Sequence, residues 1–128
     1  MRLLLDSHAL IWALDDPARL SPRASADLRN LANQLLLSAG TLWEIAIKVG
    51  VKKLSLSLPY RQWMNKAITD LDLDVLPIEL EHAEVQAGLP HHHRDPFDRL
   101  IVAQSLAERV PIVSMDAQFD SYGITRIW

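Results

Sequence analysis

The chain contains no cysteine. That absence excludes disulfides, thiolate nucleophiles and every cysteine-based zinc site. It also lacks a basic surplus: 13 Lys+Arg stand against 16 Asp+Glu, for a formal net charge of −3. Nucleic-acid binders often carry a positive balance, so the charge counts mildly against one, unless the carboxylates gather around cations that offset them locally. No stretch approaches the ~18 apolar residues that span a bilayer. The longest early run, LLLDSHALIWAL, is broken by Asp6 and His8 and has no signal-peptide cleavage pattern, which makes the cytoplasm the expected location and a membrane no expected partner. Internal repeats and low-complexity linkers are missing as well. What remains is 128 residues, 49% hydrophobic and 23% charged, the size and composition of one globular domain with a real core. A single domain over 1–128 is expected.

Short apolar runs alternate with helical periodicity. RLLL (2–5), QLLLS (34–38), LDVLPI (73–78), PIVSM (111–115) and ITRIW (124–128) read as five strands. SHALIWAL reads as a short helix after Asp6. Ser21-Pro22 is a helix start, with serine as cap and proline at the first helical position, and the helix that follows would place Ala24, Leu28, Leu31 and Ala32 on one face. TLWEIAIKVG (41–50) has helical spacing with Gly50 as its stop, YRQWMNKAITD stacks Tyr60, Trp63, Met64 and Ala67, and ELEHAEVQAG ends near Gly88. DPFDRLIVAQSLAERV (95–110) is the clearest helix, and DAQFDSY a turn or single helical turn. Strands and helices in this alternation indicate an open, mostly parallel α/β sheet covered on both faces. Functional groups in such sheets gather beyond the carboxyl ends of the strands, where strand order reverses.

That rule makes the acids informative. Asp6 sits where the first strand ends, Asp116 just past the fourth, Glu44 in the helix after the second, and Asp98 in the first turn of the long helix. Singly, each has a plain structural explanation as a turn, cap or surface residue. Jointly they would crowd one edge of the sheet and repel. Hard cations with oxygen ligands, Mg²⁺ or Mn²⁺, relieve that crowding, and such ions support phosphodiester cleavage. The inference is a metal-dependent phosphoryl-transfer site.

LLLDSHALIW, TLWEIAIKVGVKKL, HRDPFDRLIVAQS, IVSMDAQFDSYGI and the terminal IW, in this order and spacing, resemble the PIN-domain ribonucleases, and most of all the VapC-type toxins of type II toxin–antitoxin systems. The resemblance runs from residue 2 to residue 128. It implies a three-layer α/β/α sandwich on a mostly parallel five-stranded sheet, and a cluster of four acids, here Asp6, Glu44, Asp98 and Asp116, binding one or two Mg²⁺ or Mn²⁺ ions. Asp6, Asp98 and Asp116 would hold metal directly or through water, with Glu44 completing the site through water or orienting the attacking water. Ser114 matches a small hydroxyl residue two before the last acid and would support metal or substrate. Asp98 rather than Asp95 fits the third acid, leaving Asp95 as cap and support. The resemblance further implies endonucleolytic cleavage of RNA such as a tRNA, a homodimer, and a cognate antitoxin.

The triplet His91, His92 and His93 draws the eye toward a histidine metal site. Consecutive residues seldom aim three side chains at one centre, and zinc-type spacings such as H-x₃₋₅-H are missing. His91 and His92 read as surface loop; His93 and Arg94 either touch RNA phosphate or brace the loop. His8 reads as a packed or hydrogen-bonded residue. Lys48, Lys52, Lys53, Arg94 and Arg99 are candidates for a basic rim that steers phosphate, against the alternative of solvated surface charges. Trp12, Trp43, Trp63 and Trp128 read as core or interface rather than base-stacking platforms, and the Tyr60–Ala67 stripe as intramolecular core or a groove for a dimer or antitoxin. Two rival functions stay open: a PIN-like scaffold that binds RNA or a partner without cutting, and an aspartyl-nucleophile phosphatase. The second is disfavoured because Asp6-Ser7-His8 puts histidine where that chemistry wants a second acid.

Overall fold

Leucines run without alternation through the first two strands, which is the pattern of strands buried on both faces. The computed structural model describes residues 1–128 and places these runs in the middle of a sheet. The elements are β1 (Arg2–Leu5), α1 (Ser7–Asp15), a 3₁₀ turn (Pro17–Arg19), α2 (Pro22–Arg29), β2 (Gln34–Ser38), α3 (Ala39–Gly50), α4 (Tyr60–Asp70), β3 (Leu73–Leu76), α5 (Leu80–Ala87), α6 (Pro96–Glu108), β4 (Ile112–Val113), a 3₁₀ segment (Ala117–Tyr122) and β5 (Arg126–Ile127). The five strands lie in the order β3-β2-β1-β4-β5, and every neighbouring pair is parallel. The sheet expected to be mostly parallel is wholly so. No helix is long and apolar enough to cross a membrane.

Register divides the core in two. Leu3, Leu35 and Leu73 sit side by side and, with Leu5, Leu37 and Val113, face α1 to α4 through Leu10, Ile45, Trp63 and Met64. Leu4, Leu36 and Ile112 face the opposite way, onto Ile101, Val102, Val110 and Phe119. The α4 stripe belongs to the first cluster: Trp63 and Ala67 are fully buried and Met64 nearly so. It is therefore the chain's own core, not an open groove. Trp63 also donates its indole N–H to Asp15 at 3.0 Å.

Some boundaries differ from expectation for local reasons. Helix α2 stops at Arg29, so Leu31 and Ala32 do not share its buried face, and Leu31 is wholly exposed. The Asn30 side chain accepts from Ala32 N at 3.0 Å, an Asx-type turn that competes with helical continuation. Helix α3 starts two residues early because Ser38 caps it, accepting from Gly40 N at 3.1 Å. Strand β3 ends before Pro77, which has no N–H to give the ladder.

Two features of this frame position the site. Strand order reverses between β1 and β4, so Asp6 and the Ser114–Asp116 segment leave the sheet next to each other. Helices α3 and α6 approach closely at Gly40, where an added Cβ would lie 2.3 Å from Leu100 Cδ2. A larger residue there would have to displace the Leu100 side chain, and the approach brings Glu44 close enough for its charge to be felt at Asp98.

Candidate active site

Asp6 follows β1 directly and caps α1, accepting from Ala9 N at 2.7 Å through Oδ1. Its other oxygen accepts a short hydrogen bond from the Ser114 hydroxyl, 2.5 Å away. Burial raises the Asp6 pKa, with the bonds from Ser114 and Ala9 opposing and the charge of Asp116 adding to the rise. Ser114, fully buried at the end of β4, also accepts from Asp116 N at 3.0 Å. One hydroxyl therefore fixes both acids. Arg126 of β5 holds that strand end, donating to Ser114 O at 3.1 Å while pairing bidentately with Asp120 at 2.9 and 3.1 Å.

Asp116 opens the 3₁₀ segment, accepting from Gln118 N at 2.9 Å. Its second oxygen lies 2.9 Å from His93 Nε2, and Tyr122 Oη lies 3.0 Å from His93 Nδ1. The arrangement suits the tautomer in which Nε2–H donates to Asp116 and the Tyr122 hydroxyl donates to Nδ1. The His93 ring is buried and stacks on Phe119 and Tyr122, with centroids 4.7 and 5.6 Å apart. Burial favours the protonated form of Asp116, but the His93 bond, the Gln118 N–H and the charges of His93 and Arg126 outweigh it, and its pKa is lowered.

Asp98 lies in the first turn of α6, which Asp95 caps by accepting from Phe97 N at 2.7 Å and Asp98 N at 3.4 Å. Its pKa is pushed up to about 7, first by burial and then by the charges of Asp95, Glu44 and Asp6, with His93 opposing. Asp6, Asp98 and Asp116 line one cavity of about 370 Å³ together with His8, Trp12, Met115 and Phe119. Glu44 does not line it. That carboxylate is buried and held by Lys48 Nζ at 2.6 Å. It borders a second hollow of about 360 Å³ with Lys48, Lys53, Arg94, Asp95 and Phe97. Burial pulls the Lys48 pKa down, but Glu44, Asp95 and Asp98 outweigh it and the net shift is upward.

Several predicted site residues take roles the sequence did not reveal. Arg99 is not on a basic rim: it is buried and donates to the carbonyls of Pro90, Gln86 and Leu89 at 2.8, 3.2 and 3.3 Å. Its guanidinium anchors the histidine loop. His93 is no surface phosphate contact either; of the two roles open to it, it takes the bracing one. His8 is neither packed away nor hydrogen-bonded. It is exposed at the cavity wall, its ring 5.6 Å from that of Trp12. Trp43 is largely exposed, with only an edge contact to Phe97. Tyr122 and Met115 carried no sequence signal at all, because their places depend on how the 3₁₀ segment lies on the loop before α6.

The donor set is oxygen-rich and suits a hard divalent cation, which keeps several water ligands of its own. No three His, Asp or Glu side chains converge tightly enough to hold one ion by themselves, so coordination here would run partly through water.

An all-parallel α/β/α sandwich with aspartates collected at the point of strand reversal defines a class of protein, and the matches to known proteins agree with it. The PIN domain family model matches residues 3–124, and the chain belongs to the PIN domain family. Within it, the similarity is to VapC proteins. The chain is 28% identical over 121 residues to Ribonuclease VapC22 of Mycobacterium tuberculosis (strain ATCC 25618 / H37Rv), covering 94% of this chain and 91% of that one. Among solved structures it superposes on VapBC2 from Rickettsia felis bound to a DNA fragment from its promoter, with a TM-score of 0.73, 19% identity, and 98% and 97% of the two chains covered. DNA-bound VapBC from Salmonella typhimurium gives 0.69, 18%, and 98% and 96%. At these identities the structural likeness speaks to the fold.

Proposed function

We propose that residues 1–128 act as one metal-dependent endoribonuclease domain, the toxin of a toxin–antitoxin pair, working in the cytoplasm. The observation that carries this reading is the single cavity lined by Asp6, Asp98 and Asp116, from three separate elements, in which burial first, and then the charges of neighbouring acids, lift the Asp98 pKa to about 7. Negative charge held at such a cost calls for a cation. Mg²⁺ or Mn²⁺, one or two ions, fits the donors. When bound, such an ion offsets phosphate charge and makes a coordinated water a better nucleophile near neutral pH.

The chain's own groups then divide the work. Asp6, Asp98 and Asp116 hold the cation, directly or through water. The Ser114 hydroxyl fixes the Asp6 carboxylate and the start of the Asp116 turn, and His93 fixes the far oxygen of Asp116. Glu44 acts on the site from the neighbouring hollow, its charge felt at Asp98 and its own carboxylate steadied by Lys48. Asp95 starts α6 so that Asp98 faces the cavity. Lys48, Lys53 and Arg94 around the second hollow give a phosphate flanking the scissile one a place to bind. The kinship with VapC proteins supports RNA, a tRNA for instance, as substrate, a cognate antitoxin as partner, and a homodimer as the assembly.

One observation favours a rival reading, a scaffold that binds RNA without cutting: the carboxylates do not converge on one point as they stand. Cleavage of total and transfer RNA with Mn²⁺ or Mg²⁺ separates the two. Discrete products that disappear with EDTA and with Asp6→Asn are expected. A folded Asp6→Asn protein cutting at the wild-type rate would overturn the assignment.

A further inference from the structure

The cavity has a side that cation binding does not use. Three aspartates line it, but so do His8, Trp12 and Met115. His8 and Trp12 lie one helical turn apart on the same face of α1, and α1 begins at Asp6, its cap. Helical rise puts the backbone of His8 about 3 Å and that of Trp12 about 9 Å along the axis from the backbone of Asp6. Met115 closes the wall from the other strand end, between Ser114 and Asp116, and more than half of it is exposed. A lone exposed methionine is ordinary on a protein surface. Here it stands with two rings inside the cavity of the proposed reaction.

The wall is pre-organised. The Trp12 ring has the Arg19 guanidinium 5.0 Å from its centroid and the Trp128 ring 5.9 Å away, tilted by 58°. The ring that leans on it, His8, makes no hydrogen bond that would tie it to the fold, and it faces the opening. The ring nitrogens of such a surface can bond water or phosphate, but its flat faces offer those groups little, whereas every nucleobase has a flat face that stacks on them without regard to sequence. A phosphodiester placed over the aspartates brings its own base to within one ribose of this wall.

We propose that His8, Trp12 and Met115 form a base subsite that receives one unstacked nucleobase of single-stranded RNA beside the phosphodiester bound at Asp6, Asp98 and Asp116. The inference rests on the ribonuclease reading and adds to it a place for one base beside the acids, which a base paired inside a helix cannot reach.

The test compares a short fluorescein-labelled single-stranded RNA containing all four bases with a base-free ribose-phosphate chain of equal length. Binding is followed by anisotropy with Mn²⁺ in the cleavage-silent Asp6→Asn background. His8→Ala and Met115→Ala alter exposed side chains, and melting temperatures check that both variants stay folded; Trp12→Leu is the third variant. The intact RNA should bind the His8 and Trp12 variants about 5- to 150-fold more weakly, the range for loss of one aromatic stacking platform, and Met115→Ala more weakly by a smaller factor, while affinity for the base-free chain stays the same. Equal losses for the two ligands, or no loss for either in folded His8→Ala and Met115→Ala, overturn the subsite. If metal-dependent RNA cleavage by the wild type persists in that case, the subsite alone has failed. A wild-type chain that neither cuts nor binds RNA overturns the ribonuclease reading and the subsite with it.

Discussion

Replacing Asp98 by asparagine should stabilise the metal-free protein at the expense of its chemistry. The folded chain holds the Asp98 proton up to about pH 7, against an ordinary value of 3.8. Between those values the native state binds more protons than the unfolded one, so stability falls as pH rises through the window. Spanning it at about 1.4 kcal/mol per pH unit gives an upper limit of about 4 kcal/mol above pH 7. The side chain is only partly buried, and solvent screening reduces this to about 1–2 kcal/mol. For a chain of this length that is a rise of about 4–8 °C in melting temperature. Thermal melts of wild type and Asp98→Asn in EDTA at pH 8 measure it directly. The gap should shrink below pH 7, fall under half its pH 8 size by pH 5, and close near pH 3, where Asp98 is protonated in both the folded and the unfolded state. Mn²⁺ should raise the wild type more than the variant. An Asp98→Asn protein that melts at or below the wild type at pH 8, or a gap that ignores pH, refutes the claim that burial and neighbouring charge together strain an ionised Asp98 in this cavity.

Three further substitutions probe the supports. Ser114→Ala removes the one hydroxyl shared by Asp6 and Asp116; cleavage or Mn²⁺ affinity should drop about 10- to 100-fold, and an unchanged Mn²⁺ titration would show that the acids position themselves. His93→Ala frees Asp116 and Tyr122 together; a loss of about 10- to 100-fold in kcat/KM is expected, partly restored in His93→Gln, and equal activity in both variants would leave His93 a filler of space. Arg99→Met strands three carbonyls of the histidine loop; urea unfolding should show a loss of about 2–3 kcal/mol, whereas unchanged stability with weakened RNA binding would return Arg99 to the rim.

Much of the site could be read from residues 2–8, 41–50, 93–105 and 112–118, because its parts are local. Asp6 and Asp116 each end a strand and begin a turn, Asp95-Pro96 starts a helix, and each acid's place follows from a few neighbours. The histidines were harder. His93 meets Asp116 across 23 positions and Tyr122 across 29, and nothing in HHHR separates the buried ring from the two exposed ones. Arg99 fits a rim as well as a brace in sequence; only the path of residues 86–90 over α6 supplies the carbonyls that turn it inward.

The sequence by itself determined the alternation of strands and helices, the burial of the central strands on both faces, the caps and the identities of the acids. These follow from periodicity and from hydrogen bonds between near neighbours. Tertiary structure alone decided which acids share a cavity. It set Asp6, Asp98 and Asp116 together and left Glu44, whose pairing with Lys48 is local to α3, in the next hollow; it buried His93 and exposed His8, and it turned Trp12 toward the aspartates. The reason is physical: a side chain's surroundings depend on which elements lie side by side, and that is fixed by strand order and by the close approach of α3 to α6 at Gly40, contacts made across the chain rather than along it.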